Sequence, residues 1–439
     1  MSITLGAAKI IFYSYLCLHH HENVEIVTNS PTRCETVIDT KKLNLPANSS
    51  YYNIMKKGNG YDVIFRNKMF WYGGSTCLYN TEEKLIHSIM QEKYHLNHNF
   101  CVFPSKCGTK YYGIGGQHSP VPLKGGRKKK IEPMISYRDM MIVSPDIQSE
   151  YHQNGLYLMQ STDKIHWEYV KTVPVISGIH PGHTDGHFGY SLFDSKICCF
   201  YSKILQQYVL FIRANMRKGC RWIQTTRSKD LIHWEPFRLL KMEDAPGLEC
   251  NFYHLDVMEY PDVGAFIGLS PYANRDRHPT EVCIKLMFSR NGIQWIDRGS
   301  ILDTPVCASE CRNSTHTTSV FFDRGDHYDM FFNENYNGVL YPKRSATVVR
   351  YTIPKDRLVG VRSHGVGTFS FDMKVRSDHM VLNYACHDGG YLKLTIKGKE
   401  FVVHGDALNK VITLDSSYIG QDIRVNVEMK DTVLYSCAS

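Results

Sequence analysis

Histidine and carboxylate side chains in close order are the first places to look for chemistry in this 439-residue chain. One run stands out: His180, His183, Asp185 and His187, spread over eight positions among glycines and a proline. Imidazole with carboxylate suits zinc or a harder divalent ion if the loop curls. The favoured reading is a polar loop without metal, because nothing in the sequence fixes the loop's shape. His19, His20 and His21 read as a solvated segment. Fourteen cysteines are present, yet none forms a Cys-x-x-Cys pair that would suggest a zinc site. Free buried thiols in a reducing compartment are the simpler reading. The rival is a disulfide-bearing secreted or assembled particle, with Cys101 and Cys107, or Cys307 and Cys311, as local pairs. Cys198 and Cys199 are adjacent on a strand-like run, so their side chains should point to opposite faces. No phosphate-cradling glycine loop, nucleophile elbow or dinucleotide fingerprint is found, and no cofactor is expected.

Net charge is +8, from 51 basic and 43 acidic residues, which is mild for this length. Only Lys124 to Lys130 concentrates positive charge, and it reads as a solvated loop rather than a nucleic-acid site. The apolar stretch Ile10 to Leu18 is too short to cross a bilayer. It lacks a convincing cleavage site, so no removed signal peptide and no membrane partner are expected. A location in the cytoplasm or within an assembled particle follows as the expectation.

The elements that must position any active groups are announced by a repeated phrase. Ser161-Thr-Asp163-Lys-Ile-His-Trp167 returns as Ser228-Lys-Asp230-Leu-Ile-His-Trp234 and Ser289-Arg-Asn291-Gly-Ile-Gln-Trp295. The tryptophans lie roughly 60 to 70 residues apart, the length of a supersecondary unit that must stack on its neighbours. Each phrase follows an apolar, strand-like run. The Ser-x-Asp/Asn step reads as a tight turn, in which short polar side chains bond their own backbone. The Trp then opens the next strand and buries its ring between sheets. Long units rich in strands and turns imply propeller blades. In the first unit the phrase is missing: Tyr61 to Phe65 and Lys68 to Tyr72 read as a hairpin about Arg66-Asn67, and Thr81 to His87 as a short helix. After Pro354, runs such as Phe369-x-Phe371-x-Met373 and Ile423-x-Val425-x-Val427 alternate with period two, the pattern of a small β-sandwich.

The expected fold is all-β: a five-bladed β-propeller followed by a small C-terminal β-sandwich. The boundaries are a leading arm at 1–45, the propeller at 46–354 and the sandwich at 355–439.

The repeated Ser-x-Asp-x-x-x-Trp phrase resembles that of the five-bladed propeller superfamily of invertases, levansucrases and arabinanases. A poorly characterised invertase-like group is more similar still, through Phe193-Asp194-Ser195, Tyr208 to Arg213, Ala265 to Gly268 and Asn333 to Tyr336. The similarity covers about residues 150–439 and continues through Met380 to Ala385 and Lys430 to Ser436. It implies a propeller, a trailing β-sandwich, and a glycan acted on or bound at the central channel.

Glycosidases of this kind use two carboxyl groups in unlike environments, one ionised and one protonated. By resemblance, Glu249 in Gly247-Leu-Glu-Cys250 takes the general-acid position and Asp194 an inner-strand carboxylate. Arg138-Asp139 resembles an invertase Arg-Asp-Pro motif, but Met140 replaces the proline and the distance to Glu249 is far too long. The first-blade nucleophile signature is absent. Asp62, the carboxylate on a convincing early strand, is the remaining candidate. Arg213, Glu334 and Asn335 are candidate substrate contacts, since an Arg fork binds hydroxyls and carboxylates; the same groups also suit a salt bridge between blades. The competing function is a propeller without catalysis, serving as a glycan-binding module or as a structural protein through contacts between copies, for example in a viral coat or occlusion body.

Overall fold

The computed structural model describes residues 9–46, 49–67, 75–90, 99–116, 155–177, 193, 195–215, 221–243, 251–260, 262–274, 281–303, 315–334 and 346–439. Apart from short 3-10 turns, the regular structure in these residues is strand. Five sheets, antiparallel except where Lys241–Met242 pairs parallel with the last strand of blade IV, succeed one another along the chain and form blades I to V. Blade I runs Ser50–Lys57, Gly60–Asn67, Ser75–Asn80 and Leu85–Met90. Blade II has Cys101–Pro104, Tyr111–Gly115, Gly155–Ser161 and Glu168–Tyr169. Blade III has Cys198–Ser202, Gln207–Asn215, Arg221–Ser228 and Arg238–Leu239. Blade IV has Asp256–Tyr260, Ala265–Asn274, Glu281–Ser289 and Gln294–Asp303. Blade V has His316–Thr317, His327–Glu334 and Thr347–Pro354, and its outer strand is Thr32–Asp39 from the start of the chain. The first strand of blade III packs on those of blades II and IV, so first strands form the inner wall.

The repeated phrase is a turn between the third and fourth strands, built almost wholly from side chain to backbone bonds. Ser161 Oγ accepts from the amides of Asp163 (3.2 Å) and Lys164 (2.8 Å). Asp163 Oδ1 accepts from Ile165 N and His166 N, both at 2.8 Å. Its Oδ2 meets His166 Nδ1 at 2.6 Å, and Trp167 Nε1 closes the turn on Lys164 O at 2.9 Å. Blade III repeats every one of these bonds. In blade IV Asn291 replaces the aspartate and donates from Nδ2 to Gln294 Oε1 at 3.1 Å. The residue after the Asp or Asn is left-handed in all three, with φ of 68° at Lys164, 67° at Leu231 and 70° at Gly292. Such backbone is costly for a side chain unless local bonds fix it; here they do.

Five apolar clusters fill the seams between neighbouring blades, and each tryptophan of the phrase lies at the seam with the preceding blade. Trp167 lies against Ile64, Leu78 and Phe100. Trp234 packs on the cluster of Leu158, Phe193 and Leu210. Trp295 packs with Phe211 and Trp222. Only Trp295 is fully enclosed, at 0% exposure, whereas Trp167 and Trp234 are half-buried. Cys198 and Cys199 do face opposite ways, into the III–IV and II–III seams.

After Pro354 the chain forms a seven-stranded antiparallel sheet. It comprises Val359–Lys374, His379–Ile396, Lys399–Val403, Asp406–Thr413 and Asp422–Ala438, joined by the leading strands Lys9–Ile11 and His19–Thr28. Register shifts interrupt the pairing at Arg362/Val366 and Cys386/Tyr391, and bulges bend strands. One core gathers Phe12, Phe369, Phe371, Leu394, Val425 and Leu434 from along these strands.

Two local expectations are corrected. Thr81 to Lys84 is a turn and Leu85–Met90 a strand, not a helix. Asn80 Oδ1 accepts from Glu82 N (3.0 Å) and Glu83 N (2.8 Å), which turns the chain back onto its own strand. Arg66 and Asn67 are paired strand residues, opposite Thr76 and Ser75, rather than a hairpin turn. Lys68 to Tyr72, expected as the returning strand, lie outside the described residues.

Because Trp295 is enclosed on all sides, Trp295→Ala should lower unfolding free energy by about 3–5 kcal/mol. The same change at half-exposed Trp167 should cost clearly less, as read from urea midpoints of the two variants.

Candidate functional site where blades III, IV and V meet

Polar residues lie at or just before the start of the inner strands of blades III, IV and V, and these converge. Lys196, just before the inner strand of blade III, donates from Nζ to Asp256 Oδ1 and to Thr318 O (2.7 Å). One ammonium thus ties three blades together. Asp256 Oδ2 also accepts from Thr317 Oγ1 at 2.5 Å. His254 Nε2 lies 2.9 Å from Thr317 Oγ1, 3.2 Å from Thr317 O and 3.6 Å from Asp256 Oδ2. The His254 ring is 5.4 Å from that of His316, which meets Tyr253 edge-on at 4.7 Å. Arg213 and Arg221 reach over the Tyr253 ring at 4.9 and 5.2 Å. Side chain to backbone bonds continue the cluster: Ser195 Oγ donates to Tyr253 O at 3.0 Å, and Asn99 Nδ2 to Phe193 O at 2.6 Å.

The electrostatics assign fixed roles. Burial works to raise the Asp256 pKa, but the Lys196 ammonium and the His254 bond outweigh it and hold the carboxylate well below its usual range. Asp256 is therefore an anchored anion, unsuited to proton transfer. Burial pushes His254 down despite the Asp256 carboxylate, and pushes His316 down further, with His254, Lys196 and Arg221 adding to the effect. Both imidazoles are neutral at pH 7.

The sequence candidates fall in different places. Arg213 is in this cluster, 2% exposed, at the far end of the second strand of blade III. Asp194 and Glu249 lie outside the described residues, as do Asn335, Arg138, Asp139 and the His180 to His187 run. Asp62 is described and stands apart, near the start of the second strand of blade I and beside a turn at the opposite end of the propeller. There it accepts from Asn80 Nδ2 at 2.8 Å and pairs with Lys164 of the blade II phrase. Glu334 accepts from Arg33 (2.9 and 3.1 Å) and from Tyr351 OH (2.8 Å), so it staples strands of its own blade. That is a salt bridge within one blade, not between two. Sequence reasoning passed over Lys196, His254, Asp256, His316 and Thr317. The signal available was His254-x-Asp256 and Thr315-His-Thr-Thr318, polar alternation opening otherwise apolar strands. Among the described residues no group of three or more His, Cys, Asp or Glu could hold a metal ion, and no helix is long and apolar enough to cross a membrane.

Fold and site together define an all-β protein, a five-bladed propeller with a charged polar cluster at one end of its inner wall. No protein-family profile matches the sequence, and no curated protein does. Among solved structures, similarity is found to one described as a glycoside hydrolase, with TM-score 0.47 and 11% identity over 74% of this chain and 92% of that one. The alpha-L-arabinanase of Penicillium chrysogenum complexed with arabinobiose gives 0.40 and 9%, over 75% and 98%. An N-acetylgalactosamine deacetylase from F. plautii in complex with blood group B trisaccharide gives 0.40 and 11%, over 94% and 95%.

Two expectations follow. Unfolded histidines take up protons near pH 6.5, while buried His254 and His316 resist until lower pH. Their contribution to stability is thus fully present above about pH 6.5 and is lost as pH falls below it. Melting temperatures measured from pH 7.5 to 5.0 should fall, and His316→Asn should flatten the slope. Separately, Lys164→Ala removes the close cation from the Asp62 carboxylate, which is 1% exposed, and leaves it Asn80 Nδ2 at 2.8 Å and Lys57 Nζ at 4.0 Å. It should cost about 3–5 kcal/mol, measured by urea unfolding.

Proposed function

We propose that the chain is a carbohydrate-active propeller protein that binds a glycan beside the polar cluster of blades III to V and acts on it as a glycoside hydrolase. The observation that carries this reading is the Ser195 Oγ bond to Tyr253 O. Ser195 adjoins Asp194 in sequence and Tyr253 follows Glu249 by four positions, so described residues near these two carboxylates in the sequence meet each other. In this reading Glu249 is the general acid and Asp194 the nucleophile or base. Their separation sets the outcome: about 5–5.5 Å for retention, about 6.5–9.5 Å for inversion. Asp256, pinned by Lys196, supplies fixed negative charge, and Arg213 with Tyr253 forms part of the wall.

The test is turnover of a panel of aryl glycosides by the protein and by Glu249→Gln and Asp194→Asn. Loss of about 10²–10⁴-fold in kcat in each variant is expected, since that is what a positioned acid or base contributes. No turnover of any glycoside by the unaltered protein, or unchanged rates in both variants, removes the catalytic reading.

A further inference from the structure

Phe193, Ser195 and Lys196 lead into the inner strand of blade III, and each is bonded to residues at the starts of other blades. Phe193 O accepts from Asn99 Nδ2, ahead of blade II, at 2.6 Å and from Ser195 N at 3.1 Å. Ser195 Oγ donates to Tyr253 O, ahead of blade IV, at 3.0 Å. Lys196 Nζ donates to Asp256 of blade IV and, at 2.7 Å, to Thr318 O of blade V. The Phe193 ring is meanwhile enclosed in the seam between blades II and III. Both chain neighbours of Asp194 are therefore held from outside their own blade.

Asn99 stands two residues ahead of the inner strand of blade II and is 2% exposed. Its Oδ1 accepts from Gly116 N at 2.9 Å while its Nδ2 serves Phe193 O. A backbone N–H only donates and a backbone carbonyl only accepts, so the amide has one orientation. The Gly116 end has no room to give way. Gly116 has φ of 139°, and a Cβ there would run into Gly155 O at the start of the next strand. Asn99 thus carries the rigidity of blade II across the seam to one atom, the Phe193 carbonyl oxygen. A peptide group is planar, so holding that oxygen also restrains the bond leading on to the next residue.

We infer that Asn99 is a positioning residue for the Asp194 carboxylate, acting through the Phe193 carbonyl rather than on the substrate. This rests on the catalytic reading of Asp194 given above. A carboxylate that attacks a sugar or activates water must be held closely in place, and a misplacement of about 1 Å can cost about 10²-fold. A neutral amide suits the task, because it bonds a carbonyl and an N–H together without adding a charge that would shift a nearby carboxylate's ionisation.

The test is steady-state kinetics of the full chain on 4-nitrophenyl β-D-galactopyranoside, β-D-xylopyranoside and α-L-arabinofuranoside. On whichever is turned over, Asn99→Ala should lower kcat about 10–10²-fold and change KM by less than about twofold. In the Asp194→Asn background the same change should cost nothing further, since a group acting through the carboxylate has none left to place. A role in folding alone would not produce that silence. If Asn99→Ala fails to fold, Asn99→Ser replaces it in the cycle; the shorter side chain keeps a polar group but cannot reach both partners. An unchanged kcat, or a loss as large without the Asp194 carboxylate as with it, overturns the positioning role while the catalytic reading stands. No turnover by the unaltered protein, or an unchanged rate in Asp194→Asn, overturns the reading of Asp194 and this role with it.

Discussion

A ring of blades needs its last sheet tied back to the start of the chain, because without that tie the ring is free to splay. Here the missing strand of blade V is Thr32–Asp39, laid antiparallel against Thr347–Pro354. Two forked ion pairs hold it. Arg33 grips Glu334, and Arg350 grips Glu35 while also reaching Asp329. The same segment continues into blade I, so the first and last blades are joined by covalent chain as well as by the V–I seam of Ile38, Tyr52, Phe65 and Phe331. Immediately before it, His19–Thr28 pairs with Val359–Lys374 of the C-terminal sheet. One stretch of chain therefore closes the ring and ties it to the second module. Asp356 reinforces the joint, accepting from Tyr328 OH (2.7 Å), Tyr260 OH (3.2 Å) and Lys9 Nζ (2.8 Å).

The two ends of the propeller treat buried charge differently. At the end of the phrase turns, acids are matched by groups brought from a neighbouring blade, the adjacent strand or their own turn. Asp62 has Lys164, Asp329 has Tyr61, Arg324 and Arg350, and Glu259 accepts from Ser202 Oγ and Ile204 N. Such ties resist sliding between sheets and leave little unsatisfied. At the other end, Lys196 and Asp256 neutralise each other, while His254 Nδ1 and Asn333 Oδ1 find no donor among the described residues.

What could be read from the sequence follows the range of the bonds involved. The phrase was legible because its hydrogen bonds span two or three residues, so residue types alone specify the turn. Its tryptophans revealed stacked sheets because a large apolar ring at a fixed place in each unit needs a seam to fill. Asp62 was misleading because strand alternation says which face a side chain takes but not which end of the channel it occupies. Glu334 looked like a ligand contact because its partner Arg33 lies 301 positions away. Lys196 and Asp256 are separated by 60 positions in neighbouring blades, and no local pattern announces that they meet.

Blade I shows why the turn, rather than its wording, is what the fold requires. It lacks the Ser-x-Asp phrase, yet Asn80 caps the amides of Glu82 and Glu83 and Lys84 turns left-handed with φ of 55°. A chain reversal is made there with different residues and a left-handed residue one position later, whereas blade IV keeps the phrase geometry with Asn291 and Gln294. A short side chain that accepts from two following amides is enough to reverse the chain. The fold therefore needs the turn and not a particular set of residues to make it. The inner-strand starts are under a different constraint. A lysine shared by three blades, a carboxylate and a buried histidine have no local substitute, so their chemistry is the part of this propeller that packing does not account for.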